Sequence, residues 1–178
     1  MKVEQKVFKS DFLVIGSGVS GLTFALKAAI KFKDSKVTII TKDEKSESNT
    51  KYAQGGIATV YDKTVDSFEQ HIQDTLLAGD GLCDEKVVRM VVKDAPDRLQ
   101  ELIDWGTCFD MGKDGEYDLG REGGHSQNRI LHHTDITGAE IERALIEQVE
   151  AQPNIEFLEH HYATHPKQRF TNSKHLWW

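Results

Sequence analysis

The chain has 178 residues, of which 29% are charged and 38% hydrophobic, and its formal net charge at pH 7 is −7. This composition is typical of a folded globular protein rather than a disordered one. The negative charge disfavours nucleic acid or an anionic membrane surface as a partner. The sequence shows no apolar run of membrane-spanning length and no secretory signal in residues 1–10, so the cytoplasm is the expected compartment.

The most informative motif is Gly-Ser-Gly-Val-Ser-Gly at residues 16–21. It follows the apolar run Phe12–Ile15 and precedes an amphipathic segment over residues 22–32. A strand, a glycine turn and a helix in this order form a pyrophosphate site: the first glycine makes the turn, the second admits the phosphates and the third allows helix-to-strand packing. The N–H groups and the positive dipole end of the helix would face the anion.

The identity of the dinucleotide remains open on this motif alone. An acidic residue at the end of the second strand usually holds the ribose hydroxyls. Here the predicted strand, residues 36–41, ends at Thr41-Lys42, and Asp43 and Glu44 follow. Either acid could reach a ribose or be a solvated loop charge, so both NAD and FAD fit the glycine motif.

The following elements are predicted from periodicity and turn residues. Residues 11–41 form a right-handed parallel βαβ unit. A long polar loop follows over residues 43–61. Further along we expect a helix over residues 66–78 capped by Asp66, a helix over residues 84–103 that Pro96 bends or divides, hairpin strands at residues 108–110 and 117–119, a helix from Thr137, and a returning strand at residues 154–158.

The loop at residues 120–129 places charged, imidazole and hydroxyl side chains around Gly123 and Gly124, a composition typical of a binding site. The histidine pairs at residues 132–133 and 160–161 are interpreted as structural or exposed, and no metal site is predicted. No Asp or Glu follows Glu159, and the last residues show neither helical nor strand periodicity.

Four motifs together carry a family resemblance: residues 16–22, Thr41-Lys42, residues 49–58 and residues 121–126. In this order and at these separations they resemble the N-terminal part of the aspartate oxidases within the succinate dehydrogenase and fumarate reductase flavoprotein family. The resemblance runs from Asp11 to Ala163. It implies an α/β fold with a parallel sheet, the N-terminal part of a Rossmann-like FAD-binding domain at residues 1–163, and an aberrant or disordered tail at residues 164–178.

The resemblance also implies a set of site residues. Residues 17–20 would touch the FAD pyrophosphate, Lys42 would lie at the ribose end, residues 49–56 would wrap the flavin, and Tyr162-Ala163 would contact the adenine end through backbone. The implied cofactor-binding residues are Gly16, Ser17, Gly18, Val19, Ser20, Gly21, Lys42, Asn49, Thr50, Lys51, Tyr52, Ala53, Gln54, Gly55, Gly56, Tyr162 and Ala163. Glu122, His125 and Ser126 would bind substrate, with Glu122 orienting its amine.

Two positions distinguish branches of the family. Relatives with covalently attached flavin carry a histidine where Asn49 stands, so the resemblance implies FAD held without a covalent bond. Relatives that act only on dicarboxylates are apolar where Glu122 stands, and a carboxylate facing a substrate ammonium contributes about 1.5–3 kcal/mol. The alternative for Glu122 is a surface carboxylate paired with Arg121 or Arg129.

The function implied is oxidation of L-aspartate to iminoaspartate, with oxygen or fumarate reoxidising the flavin. This is the first step of NAD biosynthesis through quinolinate, which suggests a functional link to quinolinate synthase. The family's substrate-clamping arginines and histidines lie further along its chains, so full activity is not expected from these residues. The alternatives are a flavoprotein subunit of succinate dehydrogenase or fumarate reductase, and a non-catalytic dinucleotide-binding fragment.

Overall fold

A computed structural model describes residues 6–164 of the protein. Of the predicted tail at residues 164–178, everything from residue 165 onward lies outside the described residues. The described elements are β1 (Phe12–Ile15), α1 (Val19–Lys31), β2 (Val37–Ile40), β3 (Ile57–Ala58), α2 (Phe68–Ala78), α3 (Glu85–Asp104), β4 (Leu119–Gly120), β5 (Ile130–Leu131), α4 (Thr137–Glu150) and β6 (Ile155–Leu158). No helix among residues 6–164 is both long and apolar enough to cross a membrane.

The main sheet is parallel and has the strand order β1-β2-β6. Helix α1 packs on this sheet and against α4. Side chains alternate between the two faces of a strand, so Val14 points into the core beneath α1 while Leu13 and Ile15 point the other way and are exposed. The predicted α/β class, the parallel sheet and the βαβ unit of residues 11–41 are confirmed.

The core between α1, α4 and the sheet consists of short aliphatic side chains at helical and strand spacing. Leu22 and Leu26 lie one turn apart on α1 and are fully buried, as is Leu145 on α4. Burying such side chains contributes about 1.5–3 kcal/mol each, which is far more than the intrinsic helix propensity of these segments. Packing of α1 therefore fixes the position of its N-terminus at the carboxyl end of β1.

A second sheet is antiparallel, with the order β3-β5-β4. Its central residue Leu131 is fully buried and packs with Leu99 and Phe109. Strand β3 lies inside the segment predicted to be a loop. The predicted hairpin is present but short: Met111 and Tyr117 form one antiparallel bridge, and the Asp118 N–H donates to the Asp110 carbonyl at 3.0 Å. Strands of two residues leave no periodicity to read, so these pairings depend on tertiary packing.

The predicted cap of α2 is wrong, and of the two predicted effects of Pro96, division of the helix does not occur. Asp66 does not cap α2, because Ser67 is the cap residue and its hydroxyl accepts from the Gln70 N–H at 3.2 Å. Pro96 does not divide α3, which runs continuously from Glu85 to Asp104. The start of that helix is as predicted, since the Asp84 carboxylate accepts from the first-turn N–H groups.

Candidate functional site

The glycine turn joins β1 to α1 in a conformation that needs glycine. Gly16 has a φ of +101°, and its N–H donates to the Ile40 carbonyl at 2.9 Å. A Cβ on Gly21 would lie 2.1 Å from the Gly16 carbonyl oxygen, so the first turn of the helix packs directly on the strand end. The first and third glycines thus have the roles that the motif assigns to them.

The first turn of α1 carries no acidic side chain. Gly18 is the cap residue and offers no side-chain cap. The Val19 N–H donates to the Thr50 hydroxyl at 3.0 Å, and a Cβ on Gly18 would lie 3.3 Å from the same oxygen. The positive end of the helix dipole therefore faces a space that the second glycine keeps open.

That space is a cavity of about 620 Å³, within the usual range for small-molecule sites. It brings together four segments that are distant in sequence: the glycine turn, the end of β2, the loop at residues 47–52, and residues 161–163. The predicted cofactor residues that line it are Gly16, Ser17, Gly18, Lys42, Asn49, Thr50, Tyr52, Tyr162 and Ala163. The cavity thus unites the pyrophosphate motif with the positions assigned to ribose, adenine and part of the flavin segment.

The floor of the cavity is formed where β1 and β2 end. The buried Ser17 hydroxyl donates to the Thr41 hydroxyl at 3.2 Å, and the His161 N–H donates to the Thr41 carbonyl at 2.9 Å. Lys42 and Asp43 line the cavity, whereas Glu44 does not. Of the two acids left open by the sequence, Asp43 is therefore the one that borders the cavity.

The wall at residues 47–52 is braced by its own side chains. The Glu47 carboxylate accepts from the Tyr52 hydroxyl and from the Lys51 ammonium, the latter at 3.3 Å. Both hydrogen bonds lower the pKa of Glu47, and the one from Tyr52 has the larger effect. Tyr52 is thereby held at the cavity wall, where a flat ring can pack against a cofactor.

The remaining predicted cofactor residues lie outside the lining of this cavity. Val19, Ser20 and Gly21 belong to the first turn of α1. Lys51 is part of the wall but does not line the cavity, and Ala53, Gln54, Gly55 and Gly56 continue from the wall toward the second sheet. A Cβ on Gly56 would lie 2.2 Å from the Leu131 carbonyl oxygen, so this glycine allows the segment to pack against β5. The chain here leads from the cavity to the loop that carries Glu122.

Glu122 lies beside Gly55, in the segment of residues 49–56 that the resemblance assigns to the flavin. A Cβ on Gly55 would lie 3.6 Å from the Glu122 Oε1 atom, and the Glu122 side chain is exposed. The predicted alternative of pairing with Arg129 is wrong, because Arg129 is buried and bound to Asp66 and Asp74. Within residues 6–164, Glu122 forms no ion pair, so its carboxylate is available to a ligand cation.

The neighbouring His125 and Ser126 make contacts within the protein. The Asp74 carboxylate accepts from the Ser126 N–H at 2.9 Å and from the Ser126 hydroxyl at 2.7 Å. The His125 Nδ1 atom lies 3.1 Å from an Arg129 guanidinium nitrogen. A guanidinium only donates, so His125 Nδ1 accepts and the ring proton is on Nε2. The rings of His71 and His125 lie 5.5 Å apart, measured between their centroids. Burial is the main cause that lowers the pKa of His71.

Sequence reasoning missed the residues that anchor this loop, namely Asp66, Asp74 and Arg129. Arg129 is 63 positions from Asp66 and 55 from Asp74, and no local motif connects it to them. The sequence indicates Asp66 only as a possible helix cap. The sole signal available was a lone arginine directly before the apolar pair Ile130-Leu131, which does not identify its partners.

These features fit FAD. A Cβ on Gly18 would crowd the Thr50 hydroxyl at the helix N-terminus, and the first turn of α1 carries no acidic residue. Both features suit a bound diphosphate. The model of the FAD binding domain family matches residues 11–167.

The chain belongs to the FAD binding domain family.

Two of the proteins similar to this chain are named L-aspartate oxidase. L-aspartate oxidase 2-a, chloroplastic, from Nicotiana tabacum is 54% identical over 153 residues, which cover 86% of this chain and 23% of that protein. L-aspartate oxidase from Vibrio cholerae is 48% identical over 158 residues, which cover 86% of this chain and 29% of the relative. The chain thus spans about a quarter of the length of these relatives. The predicted resemblance and the predicted cofactor, FAD, are confirmed.

Solved structures agree with this placement. The E. coli quinol fumarate reductase FrdA with the E245Q mutation superposes with a TM-score of 0.81 at 32% identity, covering 87% of this chain and 26% of that one. The Mycobacterium smegmatis Sdh1 complex superposes with a TM-score of 0.76 at 30% identity, covering 85% and 27%. The fold described here corresponds to part of an FAD-binding domain.

Proposed function

We propose that this chain is the cofactor-binding part of an L-aspartate oxidase, which oxidises L-aspartate to iminoaspartate with FAD. The observation that carries the proposal is the position of Glu122, whose carboxylate is unpaired within the described residues and lies beside Gly55 at the end of the flavin segment. Identities of 42–54% to proteins named L-aspartate oxidase support the same substrate.

FAD, when bound, would accept the Cα hydrogen of the substrate as a hydride, which carries both electrons of the oxidation. The residues of this chain bind and orient. The N-terminus of α1 would hold the diphosphate, Lys42 would lie at the ribose, and the backbone of Tyr162-Ala163 would meet the adenine. Glu122 would accept hydrogen bonds from the substrate ammonium and so turn the Cα toward the flavin segment.

The preference of Glu122 for an amine can be put in numbers. A charge-assisted hydrogen bond contributes about 1.5–3 kcal/mol, which corresponds to roughly ten- to a hundredfold in affinity. Such a contribution would favour aspartate over succinate. The two carboxylates of the substrate also require cationic partners, which we assign to segments of the relatives beyond the part they share with this chain.

The proposal also covers how FAD is held, what reoxidises it and in which compartment the reaction takes place. Asn49 lines the cavity and offers a carboxamide, so FAD would be held without a covalent bond. Oxygen or fumarate would reoxidise the flavin, the product would pass to quinolinate synthase for NAD biosynthesis, and the reaction would take place in the cytoplasm. The tobacco relative is named chloroplastic, so the compartment differs between members of this group under our proposal.

The second candidate is a flavoprotein subunit of a fumarate reductase or succinate dehydrogenase. The superposition on the E. coli fumarate reductase subunit favours it. Asn49 and Glu122 argue for the oxidase, because the former would not form a histidyl flavin bond and the latter supplies an acid suited to an amine.

The experiment is a chimera in which residues 11–163 replace the matching segment of the Vibrio cholerae relative. The oxidase proposal predicts peroxide release with L-aspartate, and it predicts that Glu122→Gln lowers aspartate oxidation by roughly ten- to a hundredfold while fumarate reduction changes much less. Bound FAD is the folding control. Equal losses in both reactions would remove the role of Glu122, and a chimera with bound flavin that oxidises succinate alone would favour the second candidate.

For the isolated chain, FAD binding without peroxide release is the expected result. It would agree with the proposal, because the cationic partners of the substrate are assigned elsewhere. Failure of the folded chain to bind FAD would contradict the assignment of the cavity.

A further inference from the structure

Three hydrogen bonds from the loop at residues 120–129 converge on one carboxylate oxygen of α2. The Asp74 Oδ2 atom accepts from the Ser126 N–H at 2.9 Å, from the Ser126 hydroxyl at 2.7 Å and from an Arg129 guanidinium nitrogen at 2.6 Å. The Asp74 side chain is 16% exposed. A carboxylate that is largely withdrawn from water and accepts three donors is a strong anchor, because charge-assisted hydrogen bonds are stronger than neutral ones.

The same anchor reaches His125. The Arg129 nitrogen that contacts Asp74 also donates to the His125 Nδ1 atom at 3.1 Å. Asp74 therefore holds residues 125, 126 and 129, either directly or through Arg129. The last part of the loop is attached to α2 at this one carboxylate.

A tight turn connects the anchored part of the loop to Glu122. The His125 N–H donates to the Glu122 carbonyl at 3.2 Å, and Gly124, the third residue of the turn, has a φ of +85°. A type II turn requires this conformation at its third residue, where glycine is favoured. A Cβ on Gly124 would lie 3.4 Å from the Ala78 Cβ atom, so the turn packs on α2 one helical turn beyond Asp74.

The second sheet fixes the other end of the loop. Gly120 is the last residue of β4 and pairs with Ile130 of β5, and its carbonyl accepts from the Arg129 N–H at 3.1 Å. Residues 121–124 alone therefore lie between the end of the strand and the part of the loop that Asp74 holds. Glu122 is among them.

The Glu122 side chain has no comparable anchor of its own. It is exposed and forms no ion pair within residues 6–164, and its Oε1 atom lies 3.6 Å from the position of a Cβ on Gly55. The backbone of the turn therefore determines where the Glu122 carboxylate lies. Because the turn is attached through His125 and Ser126, its position depends on Asp74.

We propose that Asp74 is a positioning residue for the substrate amine, because it holds the turn that keeps the Glu122 carboxylate beside Gly55. The inference rests on the proposed function, in which Glu122 accepts hydrogen bonds from the ammonium group of L-aspartate. Asp74 lies outside the lining of the cofactor cavity. Its removal should therefore weaken the selection of an amine substrate and leave FAD binding intact.

The test is a double-mutant cycle in the chimera that carries residues 11–163 within the Vibrio cholerae relative. Asp74→Ala should lower kcat/KM for aspartate oxidation about tenfold and change fumarate reduction by less than about threefold, because the turn no longer holds Glu122 in place. In the Glu122→Gln background, Asp74→Ala should lower aspartate oxidation by less than about threefold, because residues that act through one another are not additive. A loss of about tenfold in both backgrounds would show independent action and would overturn the proposal.

A second variant and a matched control accompany the cycle. Asp74→Asn keeps an acceptor oxygen and should lower aspartate oxidation only about threefold. If Asp74→Ala does not fold, an Asp74→Asn loss that persists undiminished in the Glu122→Gln background contradicts the role of Asp74. Asp97→Asn, at an exposed position of α3, is the control and should change neither reaction appreciably.

Binding of FAD separates positioning from general damage to the fold. The Kd for FAD, measured by fluorescence titration of the full chain, should stay within about twofold of the wild type in Asp74→Asn. Loss of FAD binding in both Asp74 variants would indicate a purely structural role and would also overturn the proposal.

The inference and the proposed function fail in different ways. A wild-type chimera that binds FAD but oxidises no aspartate would contradict the proposed function, and this inference with it. Aspartate oxidation that is lowered in Glu122→Gln but equal to the wild type in Asp74→Ala would contradict only the role of Asp74.

Discussion

The Arg129 guanidinium meets the Asp66 carboxylate at two points, with Nε 2.7 Å from Oδ2 and Nη2 2.8 Å from Oδ1. Its third nitrogen lies 2.6 Å from the Asp74 carboxylate, which also holds Ser126. The Arg129 side chain has no exposed surface. The loop that carries Glu122 is therefore attached to the start and middle of α2 by charge-assisted hydrogen bonds, which are stronger than neutral ones.

Replacing Arg129 by Met should destabilise the protein by about 3–5 kcal/mol, because the buried Asp66 carboxylate loses its partner while remaining desolvated. Urea unfolding measures this change. Arg98→Met is the control, since the Arg98–Glu101 pair is exposed and should contribute less than about 1 kcal/mol. Similar losses in the two variants would show that Arg129 acts as an ordinary surface charge.

Asp74 predicts a pH dependence of stability. Burial alone would raise its pKa, but hydrogen bonds from Ser126 and Arg129 lower the pKa of Asp74 from 3.8 to about 2. Because the folded-state pKa is the lower one, this stabilisation is present above about pH 4 and is lost as the pH falls toward 2. Asp74→Asn should reduce the free energy of unfolding at pH 7 and flatten its change between pH 4 and 2. An unchanged slope would exclude Asp74 as the group responsible.

Gly21→Ala should remove FAD binding or weaken it by at least about tenfold, because the new Cβ would meet the Gly16 carbonyl oxygen and push α1 away from the turn. Fluorescence titration of FAD measures the effect. Gly123→Ala serves as the control, since a Cβ there meets nothing within 4 Å. Equal affinity of the Gly21 and Gly123 variants would contradict the assignment of the diphosphate to this turn.

FAD bound to this chain should separate from it on acid precipitation, because Asn49 offers no imidazole for a covalent flavin bond. Absorbance near the flavin maximum, read in the supernatant and in the redissolved pellet, distinguishes the two cases. Yellow colour retained by the precipitated protein would show covalent attachment and would favour the succinate dehydrogenase and fumarate reductase alternative.

Local sequence determined the parts of the fold built around the glycine motif. The apolar run of β1, the turn at Gly16 and the amphipathic α1 could be recognised from local pattern, and the cofactor residues adjoining them could be placed from the resemblance. The same holds for the start of α3, where Asp84 caps the helix as predicted.

Contacts between distant segments could not be predicted. Asp is a common helix-cap residue, yet the Asp66 carboxylate accepts hydrogen bonds from Arg129, 63 positions away. The neighbouring Ser67 caps α2 instead. Pro96 removes one helical hydrogen bond, but the rest of α3 is long enough to continue through it. In the sequence, Glu142 is one polar residue among several on an amphipathic helix. It is buried because α4 packs against the loop at residues 47–53.

A crystal structure of the chain with FAD tests the central claim most directly. We expect the diphosphate over the N–H groups of residues 17–20, the adenine beside Tyr162-Ala163, and the isoalloxazine ring next to Gly55 and within reach of Glu122. A cofactor bound away from the first turn of α1, or an isoalloxazine ring pointing away from Gly55, would contradict the account.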